Sequence, residues 1–184
     1  MSLTRDTFCS FCGTAYPTPL TYPRSCNNCK IQVWANPIPV AVALVPIVKD
    51  GRTGILVVRR GIEPGKGKLA LVGGFVEETE TWAHGAAREV REETGVVVAA
   101  ESLTPFWYTS TAPRPNRVLL FSVAAPIDAA SIAPFAGDHE TLERGLVFGP
   151  AGLDAVFAFP LHVEAARRYF ATQGVEGAHD YVTV

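Results

Sequence analysis

The sequence has no cysteine after residue 29, no apolar run long enough to cross a bilayer, and no large excess of either charge. Each of these lacks narrows what the chain can do. Sixteen Lys and Arg against 18 Asp and Glu leave a formal net charge of −2, so nothing draws the whole chain to nucleic acid or to an anionic membrane. A local basic patch is still open. The longest apolar stretch, Val40 to Val48, is interrupted by Pro46 and falls far short of the ~20 residues a spanning helix needs. The first residues, MSLTRDTFCSFCG, lack the apolar run behind a basic start that marks an export signal, which predicts a soluble, cytoplasmic protein. The four histidines (84, 139, 162 and 179) lack ligand spacing, and no serine or cysteine stands in a nucleophile arrangement. No internal repeat is visible. Charged residues make up 18% and hydrophobic ones 48%, which leaves ample material for a core in one ordinary domain with a small appendage.

All four cysteines fall before residue 30, as Cys9 and Cys12 in FCSFC and Cys26 and Cys29 in SCNNC. Two thiolates two residues apart can turn back on one ion, and two such pairs complete the tetrahedral shell that zinc prefers. The competing reading is two disulfides or four unrelated thiols; the missing export signal and the absence of cysteine elsewhere favour zinc. Gly13, just after Cys12, suits the tight turn of a metal knuckle. Four cysteines leave no open position for water, so the expected ion is structural. Residues 1–35 thus read as a zinc ribbon, and WANPIP (34 to 39), with its two prolines, reads as the linker to a domain over 36–184.

In that domain VAVALVPIV (40 to 48) and GILVVRR (54 to 60) predict strands joined by a hairpin at Asp-Gly. LALVGGF is a further strand ending in a glycine pair. A helix is expected from about Glu80 to Thr94, with an apolar stripe of Trp82, Ala83, Ala86, Ala87 and Val90, stopped by Gly95. VVVAA (96 to 100), FWYTS (106 to 110), RVLLFSVAA (117 to 125) and GLVF (145 to 148) read as strands, and LHVEAARRYFATQ (161 to 173) as a closing helix. Strands on both sides of a central helix, with another helix at the end, predict an α/β fold in which helices sandwich a mixed sheet.

The central helix carries Glu89, Glu92 and Glu93 on one face, flanked by Arg88 and Arg91. On a wet surface that is a solvated face with an ion pair. In a shielded place, two carboxylates ~5 Å apart repel by roughly 3 kcal/mol at an effective dielectric near 20, and a cation is called for. Magnesium or manganese suits three carboxylates and waters best. The glycine pair just ahead lets backbone approach a ligand and turn a carbonyl toward the same ion.

Read strictly, the order is Gly74, five residues, Glu80, seven residues, Arg88-Glu89-Val90, one residue, Glu92-Glu93, one residue, Gly95-Val96. This resembles the complete signature of the Nudix hydrolases. The resemblance implies a Nudix α/β/α sandwich and hydrolysis of a nucleoside diphosphate linked to another moiety. It implies that Glu89, Glu92 and Glu93, with the carbonyl of Gly74, hold Mg2+ or Mn2+, that Arg88 orients the cluster, and that Glu80 supports it or takes part nearby. The general base is a glutamate of the box or one from the loop GDHETLERG, where Glu140 and Glu143 stand against the reading of a plain exposed acidic loop. Arg59 and Arg60 are candidates for phosphate contact or for surface solvation. Phe106, Trp107 and Tyr108 are candidates for stacking on a base or flavin, or for filling the core.

The cysteine ribbon ahead of the box is similar to the NADH pyrophosphatase branch, while RRGIEPGKGKLALVGGFVEETET and GLDAVFAFPLHVEAARRYF look more like relatives of the ADP-ribose and FAD pyrophosphatases. The Ser-Gln-Pro-Trp array of NADH pyrophosphatases is missing, and Val72 replaces the proline usual before the glycine pair. The implied substrate is a nucleotide-type small molecule such as ADP-ribose, FAD or NADH. Two other roles stay open: nucleic-acid binding or RNA-end hydrolysis through the ribbon, for which Arg5, Arg24 and Lys30 are few cations, and a homodimer.

Overall fold

A computed structural model of the chain describes residues 6–113 and 116–184, so Arg5 lies outside the described residues. The chain divides into two compact units, one ending at Pro37 and the other running from Ile38 to Val184.

The N-terminal unit is two knuckles and a two-stranded ladder. Cys9 N donates to Thr14 O and Gly13 N to Cys9 O; in the second knuckle Cys26 N donates to Ile31 O and Lys30 N to Cys26 O. Gly13 turns with φ 72°, as its type allows, and Lys30 takes the same left-handed conformation at φ 63°. Strand β1 (Arg24–Ser25) pairs antiparallel with β2 (Gln32–Val33).

The second unit holds β3 (Ile38–Leu44), β4 (Pro46–Lys49), β5 (Arg52–Arg60), β6 (Leu69–Phe75), α1 (Trp82–Thr94), β7 (Thr104–Ser110), β8 (Arg117–Val123), β9 (Ile127–Asp128), β10 (Thr141–Val147), α2 (Leu153–Val156), α3 (Pro160–Thr172) and β11 (Tyr181–Thr183). Its sheet runs β11-β10-β5-β6-β3-β8-β7, with β4 and β9 branching from β5. β3 pairs in parallel with β8 and antiparallel with β6, so the sheet is mixed. Each face buries its own cluster. Val42, Val57, Leu71 and Phe121 pack with Val163, Ala166 and Phe170 of α3. Ala41, Leu56, Val58 and Val72 pack with Ala86 and Val90 of α1. Helix, sheet and helix therefore form the expected sandwich.

Four elements depart from the sequence reading. The run 40–48 is two strands, because Pro46 has no N–H to donate and the chain changes partners there, β3 to β6 and β8, β4 to β5 and β9. Residues 96–99 are not a strand: no strand pairs with them, and a 3-10 turn, Ala100–Ser102, follows. The run expected at 145–148 begins earlier, at Thr141, and α1 begins at Trp82 rather than near Glu80. The helix starts late because the Thr81 hydroxyl accepts the His84 N–H as its N-cap. Among the described residues no helix is long and apolar enough to cross a membrane.

Candidate functional site

Strand β6 ends in Gly73, Gly74 and Phe75, and the two glycines pair with Val42 and Ala41 of β3. Helix α1 lies across that end and brings its carboxylates to the glycines. Glu93 Oε2 accepts the Gly73 N–H at 3.1 Å. Glu89 packs so closely on Gly74 that a Cβ there would stand 2.3 Å from Glu89 Oε1. Any other residue at 74 would displace that carboxylate.

Arg88 is the hub of the helix face. Its Nε and Nη2 donate to the two oxygens of Glu80 at 3.1 and 2.7 Å, its Nη1 to Glu89 Oε1 at 2.8 Å and Glu92 Oε2 at 3.0 Å, and its Nη2 also to Phe75 O at 3.0 Å. Glu80, which precedes the helix, additionally accepts the Glu77 N–H at 2.9 Å. The Arg88 bonds hold the Glu80 carboxyl below the usual carboxylate range. Burial does the opposite to Glu89, pushing its carboxyl up. It acts most on Glu93, raised to about 8 by burial against the weaker opposing effect of the Gly73 N–H. Among the described residues no cation lies within ion-pair distance of Glu93. The box residues are thus brought together, yet not around a single point: Glu89 and Glu92 turn to Arg88, and Glu93 to Gly73.

Beside the glycine pair opens a cavity of about 630 Å3. Val40, Leu71, Leu119, Phe159 and Leu161 make its apolar wall; Arg60, Arg117 and His162 are its titratable lining, and Gly73, Gly74 and Phe75 its rim toward the box. Arg60 is on the cavity lining, its Nε donating to Pro64 O at 2.8 Å and its guanidinium over the Phe159 ring at 5.0 Å. Arg59 is not: its Nε donates to Glu143 Oε1 at 2.6 Å and its Nη1 to Gly67 O, away from the cavity. Glu143 also accepts the Tyr181 hydroxyl at 2.8 Å, and these partners, Arg59 first, keep its carboxyl below the usual range. It does not line the cavity. Glu140, exposed on the same loop, is close enough to act on the Glu93 charge. Phe106 and Trp107 take the core reading: both pack against the α3-side cluster, and Trp107 stacks on Phe121 at 5.1 Å and 20°. Tyr108 is exposed and also outside the lining.

Arg117, Phe75 and His162 were not singled out by sequence reasoning. Arg117 lies over the Phe75 ring at 5.7 Å, and the pair joins the start of β8 to the end of β6. These residues come from separate segments, and no local pattern foretells their meeting.

In the N-terminal unit the four cysteine sulfurs all lie within 4.8 Å of one another. Cys9 Sγ and Cys29 Sγ are 3.7 Å apart, Cys12 Sγ and Cys26 Sγ 3.6 Å. A disulfide needs about 2.05 Å, whereas a tetrahedron of thiolates with 2.3 Å bonds to zinc has edges of roughly 3.8 Å. The donor set fits a tetrahedral metal shell.

An ADP-ribose pyrophosphatase of Methanocaldococcus jannaschii is 37% identical to the chain over 99 residues, 53% of this chain and 56% of that protein. An NAD-capped RNA hydrolase, NudC, of Deinococcus radiodurans is 28% identical over 134 residues, 72% of this chain and 46% of that protein. The chain therefore spans about half the length of these curated relatives. Among solved structures, a NUDIX hydrolase from Nitrosomonas europaea superimposes with a TM-score of 0.65 at 24% identity, over 94% of this chain and 96% of that one. The NUDIX domain of Shewanella oneidensis NrtR, solved with ADP ribose, gives 0.62 at 18% identity over 76% and 90%. Both likenesses show a shared fold. The family match itself, to the NUDIX domain, covers residues 37–160, well over half of the sequence and the whole of the box, and the chain belongs to that family.

Proposed function

We propose that the chain hydrolyses the pyrophosphate bond of a nucleoside diphosphate derivative, an ADP-sugar or dinucleotide of the ADP-ribose, FAD or NADH class. One observation carries this reading: the Gly73–Gly74 backbone has the carboxylates of Glu89 and Glu93 against it and also rims the 630 Å3 cavity. A pyrophosphate at the glycines would have the box on one side and room for a nucleotide-sized group on the other. The relatives named an ADP-ribose pyrophosphatase and an NAD-capped RNA hydrolase agree with that class.

The box fits a hard divalent cation. Glu93 is a carboxylate made costly to ionise by burial, with Arg60 acting on it only from beyond ion-pair distance, and burial also raises Glu89 against the opposing Arg88. A cation held by Glu89, Glu92, Glu93 and the Gly74 carbonyl would compensate both. Once bound, Mg2+ or Mn2+ neutralises phosphate oxygens and makes water a better nucleophile. The chain supplies the rest. Arg88 keeps Glu89 and Glu92 in place, and Glu80 keeps Arg88. Arg60 and Arg117 hold the charged end of the substrate. Glu93, fixed by Gly73 N–H, takes the proton of the attacking water, with Glu140 the second candidate for that step. Glu143, already committed to Arg59 and Tyr181, is given no part in the chemistry. The four cysteines hold Zn2+.

The test is AMP release from ADP-ribose, FAD and NADH with Mg2+ or Mn2+, run beside Glu93→Gln. Metal-dependent cleavage is expected, and the variant should lose roughly 10²–10⁴-fold in kcat, the range for a positioned proton acceptor. Equal activity in variant and wild type would remove Glu93 from the mechanism.

A second reading has its own observation. The N-terminal unit exposes Phe8 (63%), Phe11 (65%) and Trp34 (60%), aromatic faces of the kind on which unpaired bases stack. A nucleotide-capped RNA end would then be the substrate. Phe11→Ala and Trp34→Ala would raise KM for capped RNA and leave KM for ADP-ribose unchanged; no such difference would end this reading.

A further inference from the structure

His162 sits at the first turn of α3, on the cavity wall, and is 7% exposed. Its Nδ1 accepts the backbone N–H of Leu71 at 3.1 Å, 91 positions away in sequence. A nitrogen that accepts carries no proton, so the neutral ring must carry its proton on Nε2. Among the described residues no acceptor engages that Nε2–H. Since it is not one of the enclosed side-chain atoms left without a partner, the Nε2–H reaches open space at the cavity, and a core histidine needs only the Leu71 bond. The unused donor borders a space large enough for a ligand.

The surroundings say what sort of ligand atom it meets. The ring lies edge-on to Phe121 at 6.0 Å and to Phe159 at 5.0 Å, and Leu71 and Leu161 share its wall. Arg60 stands over the same Phe159 ring at 5.0 Å, so this part of the cavity suits a flat ring with an anionic group close by. A phosphate would go to Arg60 and Arg117, which are charged where His162 is not. Nucleobases are flat and carry ring nitrogens or carbonyl oxygens that accept hydrogen bonds.

We propose that His162, fixed in one tautomer by Leu71, offers its Nε2–H to an acceptor atom on the base of the bound nucleotide, and so sets specificity for the nucleoside part of the substrate. The assignment rests on the nucleotide hydrolase reading above and adds the orientation: base in the cavity, pyrophosphate at Gly73 and Gly74. Two consequences separate it from a structural role. His162→Asn keeps an acceptor oxygen near the position of Nδ1, and with it the bond to Leu71, but does not reach the cavity. His162→Leu removes both.

The experiment measures binding of AMP and of ribose 5-phosphate, which lacks the base, to wild type and His162→Asn by calorimetry, with ADP-ribose turnover alongside. AMP binding is expected to weaken about tenfold in His162→Asn, the scale of one hydrogen bond, with ribose 5-phosphate unchanged and KM for ADP-ribose rising while kcat holds. In wild type, the 15N signals of His162 should show the Nε2–H tautomer, with Nε2 shifting on addition of AMP and not of ribose 5-phosphate. If both ligands weaken together, His162 reads sugar or phosphate and the base assignment is overturned. If a folded His162→Asn binds AMP as wild type does, the residue is structural only. A wild type that cleaves none of the nucleotides and binds neither ligand overturns the hydrolase reading itself, a result distinct from active wild type with an unaffected variant.

Discussion

Burial, helped by the Arg60 charge, holds the His162 imidazole far below its usual range, at about 3. The unfolded chain takes that proton near pH 6.5 and the folded one refuses it until about 3, so between those values the unfolded state binds more protons. This contribution to stability is complete above pH 6.5 and is lost progressively as pH falls toward 3. At pH 5 the loss is on the order of 2 kcal/mol relative to pH 7. The midpoint of thermal unfolding should therefore drop between pH 7 and pH 5 by several degrees more in wild type than in His162→Asn, which has nothing to protonate. Parallel drops in the two proteins would show that His162 titrates normally. Nothing local in the sequence pointed to this residue, because its partner, Leu71, lies in a strand 91 positions earlier. The Glu93 position was legible for the opposite reason: its spacing to Glu89, Arg88 and Gly74 lies within a single strand–loop–helix segment. An acidic loop gives no sign that one of its carboxylates, Glu143, is held by Arg59 and Tyr181.

The end of β6 shows how two identical neighbours come to do different work. A Cβ on Gly73 would meet Ala41 O at 2.3 Å and Val42 Cα at 2.7 Å, both backbone of β3 that cannot move without breaking the sheet. The three atoms nearest a Cβ on Gly74 all belong to the carboxylate of Glu89, the far end of a side chain that can swing away. Gly73→Ala should accordingly destabilise the fold by several kcal/mol, a value typical of forced overlap in packed structure. Gly74→Ala should unfold within about 1 kcal/mol of wild type and yet lose hydrolysis by about a hundredfold or more, because Glu89 no longer sits at the glycine. Denaturant unfolding beside kcat/KM checks both, and a Gly74→Ala enzyme with full activity would separate Glu89 from the site. Helix α1 itself was readable: the stripe ending in Val90 and the stop at Gly95 are local signals, and Gly95 does cap the helix in the left-handed conformation. What holds the far end of α1 was not. Arg144, buried on β10, donates to Thr94 O and to Ala133 O and so satisfies a terminal carbonyl of the helix from 50 positions away. The run 96–100 was misread because β-branched residues predict a strand only where a neighbour exists to pair with it.

For the molecule as a whole, the two units are stabilised by different means. The domain from Ile38 onward buries a cluster on each face of its sheet. In the N-terminal unit the only buried apolar side chains among the described residues are Cys9 and Cys26, which are themselves the ligands of the expected ion. Arg24, also buried, adds a stack over Tyr22 at 3.9 Å and over Tyr16 at 5.5 Å, yet a unit of this size lacks the apolar surface to fold unaided. On the zinc reading, its folding free energy is mostly metal-binding free energy. A strong chelator should remove about one zinc per chain and open residues 6–37 to proteolysis, while 38–184 stays protected and keeps its thermal transition. Cys26→Ser should do the same without chelator. The expectation separates the two metals as well: Mg2+ or Mn2+ restored after chelation should bring back hydrolysis in the domain that holds the box but not protection of the N-terminal unit, which only Zn2+ should restore. Persistent protection of residues 6–37 after measured zinc loss would mean that the tyrosine–arginine stack and the knuckle hydrogen bonds hold that unit without its ion.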